Sequence, residues 1–237
     1  MNAERQQYMI EMQGVHKRYL LKKALTDVDL RIRRGAIVGL LGPNGSGKST
    51  MLKMLAGLIY PTSGTILVNG RKPDVRNKSQ IAYLPEIDHL YGWMTVGETL
   101  KFLSGFYADW QDEKAAELLQ TMELDAGQKV RHLSKGLRAR LKLIGAFARQ
   151  APLVLLDEPF SGIDPSSRAK IIRSILAEFQ SGEQTIVLST HSLKEAEPMF
   201  DDVIFLQHGQ VVHCEPAERL RAEYGCSLEN IWEKVYG

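Results

Sequence analysis

The apolar positions of this chain keep two different rhythms. Ala36-Ile37-Val38-Gly39-Leu40-Leu41 is an unbroken apolar run of strand length, which predicts a buried strand. Ahead of it, Leu25, Val28, Leu30 and Ile32 share one apolar side after a single slip, and Tyr8 to Met12 alternates weakly; both stretches read as strands. Met51 to Leu58 then takes helical spacing. Pro61-Thr62-Ser63-Gly64 is a turn, Thr65-Ile66-Leu67-Val68 a strand entering the turn at Asn69-Gly70, and Ile81-Ala82-Tyr83-Leu84 a short strand that stops at Pro85-Glu86.

From Thr95 to about Arg149 the pattern is helical. Thr95 and Glu98 make a capping box, Asp112 to Met122 a second helix, and Lys135 to Arg149 a third. Strands return at Leu153-Val154-Leu155-Leu156, Thr185 to Ser189 and Val203 to Leu206, with a helix from Pro165 to Phe179 between the first two. Gln207-His208-Gly209-Gln210 suits a hairpin turn, and the tail from Ala217 onward reads as two short helices. Strands alternating with helices on both sides of a helical insertion predict an α/β domain with a mainly parallel sheet. The expected division is a core over 1–85 and 150–215, a helical subdomain over 86–149, and a helical tail over 216–237. Ligands of such sheets bind at the carboxyl ends of the strands.

Composition narrows the classes. With 44% apolar and 24% charged residues the chain is not mainly disordered, and 30 basic against 28 acidic residues leave a net +2 that demands no nucleic-acid partner. The two cysteines, Cys214 and Cys226, lack metal-binding spacing and read as thiols of a reducing compartment. The polar start, Met1 to Gln7, lacks a signal-peptide core, and no apolar stretch approaches the ~18–20 residues that span a bilayer. The expectation is a cytoplasmic protein that meets a membrane only through a partner.

The candidate chemistry begins at Gly42-Pro43-Asn44-Gly45-Ser46-Gly47-Lys48-Ser49-Thr50, which fits G-x-x-x-x-G-K-[ST] between a predicted strand and a predicted helix. Glycines let successive backbone N–H groups turn inward on a triphosphate, and the helix N-terminus adds partial positive charge. Lys48 would reach the β- and γ-phosphates, and the Ser49 hydroxyl would ligate Mg²⁺.

Farther on, Leu133-Ser134-Lys135-Gly136-Leu137 precedes a helix. After it come Leu153 to Leu156, Asp157-Glu158-Pro159, Ser161-Gly162-Ile163-Asp164, and Ser189-Thr190-His191. In motif order and spacing, from about Tyr8 to Gly209, the chain resembles the ATP-binding subunits of ABC (ATP-binding cassette) transporters, most of all bacterial exporter-type cassettes. The resemblance implies a P-loop NTPase core with a mainly parallel sheet, an N-terminal antiparallel β portion and an inserted helical subdomain. It implies that Asp157 holds Mg²⁺ and Glu158 polarises the attacking water as general base. Ser134, Lys135 and Gly136 match the signature loop, which in a head-to-tail dimer faces the γ-phosphate bound to the other copy. His191 matches the histidine that touches the γ-phosphate, Asp164 falls at the dimer seam, and Tyr19 matches the aromatic that stacks on adenine.

Three positions depart from the family pattern. Glu86 stands where Gln is usual; an acid there can ligate Mg²⁺ but adds charge beside the phosphates. Lys135 replaces a usual Gly, and Leu137 a common Gln. None removes a required catalytic group, so an active ATPase is expected. The aromatic loop His89-Leu90-Tyr91-Gly92-Trp93-Met94 is expected to dock a polytopic membrane subunit on a separate chain. The rival reading is a soluble cassette acting on the ribosome or DNA; such relatives usually fuse two cassettes or carry coiled-coil or zinc-bearing insertions, which this sequence lacks.

Overall fold

Strand β1 (Tyr8–Tyr19) pairs antiparallel with β2 (Lys22–Arg33) on one side and with β4 (Ser63–Val68) on the other, making a three-stranded sheet. The computed structural model describes residues 7–179, 184–191 and 193–236; Met1 to Arg5 and Gln6 of the polar start lie outside them. The slip in the second strand is a bulge. Asp27 takes φ 51, the pairing shifts register beside it, and Leu25, Val28, Leu30 and Ile32 all finish buried. Register shifts around Gly14 (φ 54) re-phase β1 in the same way, so it runs past Met12 to Tyr19.

The second sheet has six strands in the order β5-β6-β7-β3-β8-β9. These are β3 (Ile37–Leu41), β5 (Ile81–Leu84), β6 (Leu153–Asp157), β7 (Thr185–Thr190), β8 (Asp202–Gln207) and β9 (Gln210–Pro216). All neighbours are parallel except β8 and β9, which form a hairpin through His208 (φ 48) and Gly209 (φ 78). The fold is thus an α/β P-loop NTPase architecture with an antiparallel N-terminal portion. The unbroken run in β3 is explained by its two covered faces. Ile37 and Leu41 pack with the later helices, whereas Val38 and Leu40 pack with the antiparallel sheet and α1 (Lys48–Leu55).

Helix α1 begins three residues before the apolar periodicity does, inside the glycine-rich motif, and ends ahead of Gly57 (φ 66). Between β5 and β6 lie α2 (Val96–Ser104), α3 (Asp112–Thr121) and α4 (Lys135–Phe147). The capping box of α2 is formed: Glu98 N–H donates to Thr95 Oγ1 (3.0 Å) and Thr95 N–H to Glu98 Oε2 (2.6 Å). Helix α4 stops short of Arg149, whose buried guanidinium donates to the Ile81 carbonyl (2.8 Å) and to Asp109. That contact ties the helical segment to the edge strand of the sheet. Helix α5 (Pro165–Glu178) follows β6, the short α6 (Leu193–Ala196) follows β7, and α7 (Ala217–Tyr224) and α8 (Leu228–Tyr236) close the chain. Among the described residues no helix is long and apolar enough to cross a membrane.

Candidate functional site

The carboxyl ends of β3, β6 and β7 converge on one cleft of about 640 Å³, lined in part by Tyr19, Asn44, Gly45, Gly47, Lys48, Ser49, Thr50, Glu86, Glu158 and His191. The loop from Gly42 to Gly47 is clamped from outside. Ser46 carbonyl accepts from Gly209 N–H (2.9 Å), and Gly209 carbonyl accepts from Thr26 N–H (2.8 Å). Gly47 (φ 113) is obligatory here, because a Cβ would lie 2.6 Å from the Ala24 carbonyl. Gly42 is as crowded, its Cβ position falling 2.3 Å from the Leu206 carbonyl. The β8–β9 turn and β2 therefore hold the loop open between them.

Lys48, the first residue of α1, is buried and donates to the Gly42 carbonyl (2.7 Å) and the Pro43 carbonyl (3.3 Å). Its Nζ also lies 3.5 Å from Glu158 Oε1. Strand alternation would send Asp157 and Glu158 to opposite faces, but β6 ends at Asp157 and Glu158 takes a left-handed φ of 47. Both acids consequently reach the first turn of α1. Asp157 Oδ1 accepts from the Ser49 hydroxyl (3.1 Å) and the Ser189 hydroxyl (2.8 Å), and Oδ2 from the Tyr83 phenol (3.2 Å). Glu158 N–H donates to Ser189 Oγ (2.9 Å), and Glu158 Oε2 lies 2.8 Å from His191 Nδ1. Burial beside Asp157 pushes the Tyr83 phenol well above its ordinary value, so it is a donor throughout the working pH range.

The remaining predicted residues stand around this buried set. Tyr19 ends β1 on the rim, half-exposed, with Lys17 Nζ 4.9 Å from its ring centre. Glu86 lines the cleft from an exposed loop, whose Pro85, Glu86 and Ile87 carbonyls all accept from Lys142 Nζ of α4 (2.9, 3.3 and 3.4 Å). Burial lowers the Lys142 pKa. Ser134, Lys135 and Gly136 are not in the cleft. Ser134 caps α4 by accepting from Leu137 N–H (3.2 Å), Lys135 is exposed, and Gly136 lies buried where a Cβ would meet Ser167 at 3.0 Å. Asp164 caps α5, and the backbone N–H of Ser167 holds its carboxyl below the usual range. Sequence reasoning did not single out Tyr83 or assign Ser189 a bond to Asp157. The available signal was a hydroxyl on each flanking strand, Ser189 opposite Asp157 and Tyr83 opposite Leu155, two residues before it.

A family model described as ABC transporter matches residues 25–161, more than half of the chain and the span that holds the phosphate loop, the signature and the paired acids. The chain belongs to the ABC transporter family. As one of its ATP-binding cassettes, it is an ATPase. It is 34% identical to the ABC transporter ATP-binding protein YtrB of Bacillus subtilis (strain 168), over 91% of this chain and 75% of that one. It is 32% identical to the Nod factor export ATP-binding protein I of Cupriavidus metallidurans, over 94% of this chain and 77% of the relative. Its fold matches the dimeric post-hydrolysis state of the ATP-binding cassette MJ0796, bound to ADP and Pi. That match has a TM-score of 0.78 and 27% identity, and covers 88% of this chain and 98% of the other.

Proposed function

We propose that this cassette works as an ATP-dependent head-to-tail dimer, with itself or a similar chain, and that its closure moves a substrate through a separate membrane subunit. The observation that carries the reading is that the buried carboxylate of Glu158 contacts both the buried Lys48 and the exposed His191, which line the cleft with it. Lys48 would leave the loop carbonyls for the β- and γ-phosphates, and backbone N–H groups of residues 44–48 would hold the rest of the triphosphate. Glu158 would accept the proton of the attacking water on its carboxylate, with His191 holding Oε2 and touching the γ-phosphate. Tyr19 would stack on the base from the rim.

Ser49 and Asp157, 3.1 Å apart, together with Glu86 on the cleft wall, are the oxygen donors that a hard cation takes beside phosphates, and they fit Mg²⁺. When bound, Mg²⁺ neutralises charge on the phosphates as the γ-phosphoryl group leaves. Ser134 and Lys135, exposed at the start of α4, with the buried Gly136 behind them, would bring that helix N-terminus onto the γ-phosphate of the facing copy by its attraction for an anion. Asp164 would lie at that seam. In this reading residues 86–149 would act as the arm that carries the signature, beside a core of 1–85 and 150–215 and a helical tail of 216–237.

The exposed rings of Tyr91 (50%) and Trp93 (66%), 5.8 Å apart, support the loop after Glu86 as the docking surface for the membrane subunit. In this reading the cassette works at the inner face of the membrane, and the export relative favours outward transport. No nucleic acid enters the cycle. The test is an affinity pull-down from gently solubilised native membranes with tagged Glu158→Gln protein and MgATP. A polytopic membrane protein in near-stoichiometric yield is expected. Ribosomes or DNA-bound proteins with no membrane chain would move the function to a soluble cassette.

A further inference from the structure

Tyr83 lies on edge strand β5 opposite Leu155, two residues before Asp157 on β6. Ala82 and Leu84 point into the core on the helical side, while Tyr83 packs on the other face, with Leu155 and α1. Asp157 shares that face by strand alternation. The phenol spans the diagonal to Asp157 Oδ2 at 3.2 Å, a reach that Ser or Thr at this position would lack and that Phe would fill without a donor.

Asp157 is 1% exposed, so its carboxylate has no solvent to satisfy or orient it. Three hydroxyls do so: Ser49 and Ser189 at Oδ1, Tyr83 at Oδ2. Ser49 is also the proposed metal donor, which leaves Tyr83 and Ser189 as the partners committed to Asp157. Ser189 is shared again, because it accepts from Glu158 N–H. Tyr83 donates to Asp157 alone among the hydrogen bonds of its side chain described for this site.

We propose that Tyr83 is a positioning residue for the metal: its hydroxyl fixes Asp157 Oδ2, so the metal-dependent part of ATP binding rests on it. The inference depends on Asp157 being a Mg²⁺ ligand. The test follows a fluorescent ATP analogue binding to the full chain while Mg²⁺ is titrated, for the parent, Tyr83→Phe and Asp157→Asn. Loss of an outer partner of a metal ligand should raise the Mg²⁺ half-saturation of Tyr83→Phe by about tenfold. Affinity for the analogue in EDTA should stay within about twofold of the parent, since the ring still fills its place. A parent-like Mg²⁺ titration in Tyr83→Phe, with Asp157→Asn impaired, would overturn the role of Tyr83 and leave Asp157 standing. An equal loss in EDTA would also overturn it, reducing Tyr83 to packing. Parent-like titrations in both variants would remove the metal assignment of Asp157 and the inference with it.

Discussion

Lys48 Nζ lies 3.5 Å from Glu158 Oε1, and the two side chains are only 6% and 7% exposed. The cation that would bind phosphate is therefore held by the carboxylate that would activate water. A buried charge keeps its ionised form only with a partner, so each group stabilises the other until a triphosphate enters. On entry the phosphates would take over as partner of Lys48 and release Oε1 to the water.

Removing the cation leaves Glu158 buried with His191 as its remaining polar side-chain neighbour in this set. Lys48→Ala should lose nucleotide affinity and, without any nucleotide, also lose about 1–3 kcal/mol of stability. Thermal melting of the nucleotide-free protein checks this. An unchanged melting temperature would mean that the pair contributes nothing to the resting fold.

Two exposed helix caps set an acid limit. The backbone N–H of Thr95 holds the Glu98 carboxyl below its ordinary value, and that of Ser167 does the same for Asp164. A depressed folded pKa adds stability above the unfolded value, and that stability is lost as pH falls through the folded one. Melting temperature should therefore decline with pH below about 4, near the ordinary carboxylate range. Asp164→Asn keeps a capping acceptor without the charge, so its decline over pH 5 to 3 should be shallower than the parent's. Parallel curves would contradict the cap assignment.

Much of this was legible in the sequence, for physical reasons that differ by element. The phosphate loop is a local code, and its strand–loop–helix context follows from β3 being covered on both faces. The capping box at Thr95 and the hairpin at His208-Gly209 are equally local. Strand β1 was harder, because bulges near Gly14 break the alternation that marks a strand. The left-handed turn at Glu158 was not legible, since nothing in Asp-Glu-Pro fixes a positive φ. Nor was the bond from Tyr83 to Asp157, which depends on β5 and β6 being neighbours although 68 residues of helix and loop separate Leu84 from Leu153. Sheet order is a long-range property, and one sequence does not display it.

The aromatic loop gives a prediction that separates docking from catalysis. Tyr91 and Trp93 are well exposed and distant in sequence from the buried acids. Tyr91→Ala with Trp93→Ala should abolish co-purification with the membrane subunit while ATP affinity stays within about twofold, because exposed side chains away from the core carry little of the fold. Undiminished co-purification would remove this loop from the interface.

The measurement closest to the centre is steady-state hydrolysis by Glu158→Gln, paired with sedimentation in MgATP. General-base loss predicts a fall in turnover of at least about 100-fold, with ATP still bound and the protein sedimenting as a dimer. Hydrolysis at the parent rate would contradict the assignment of Glu158 as the base.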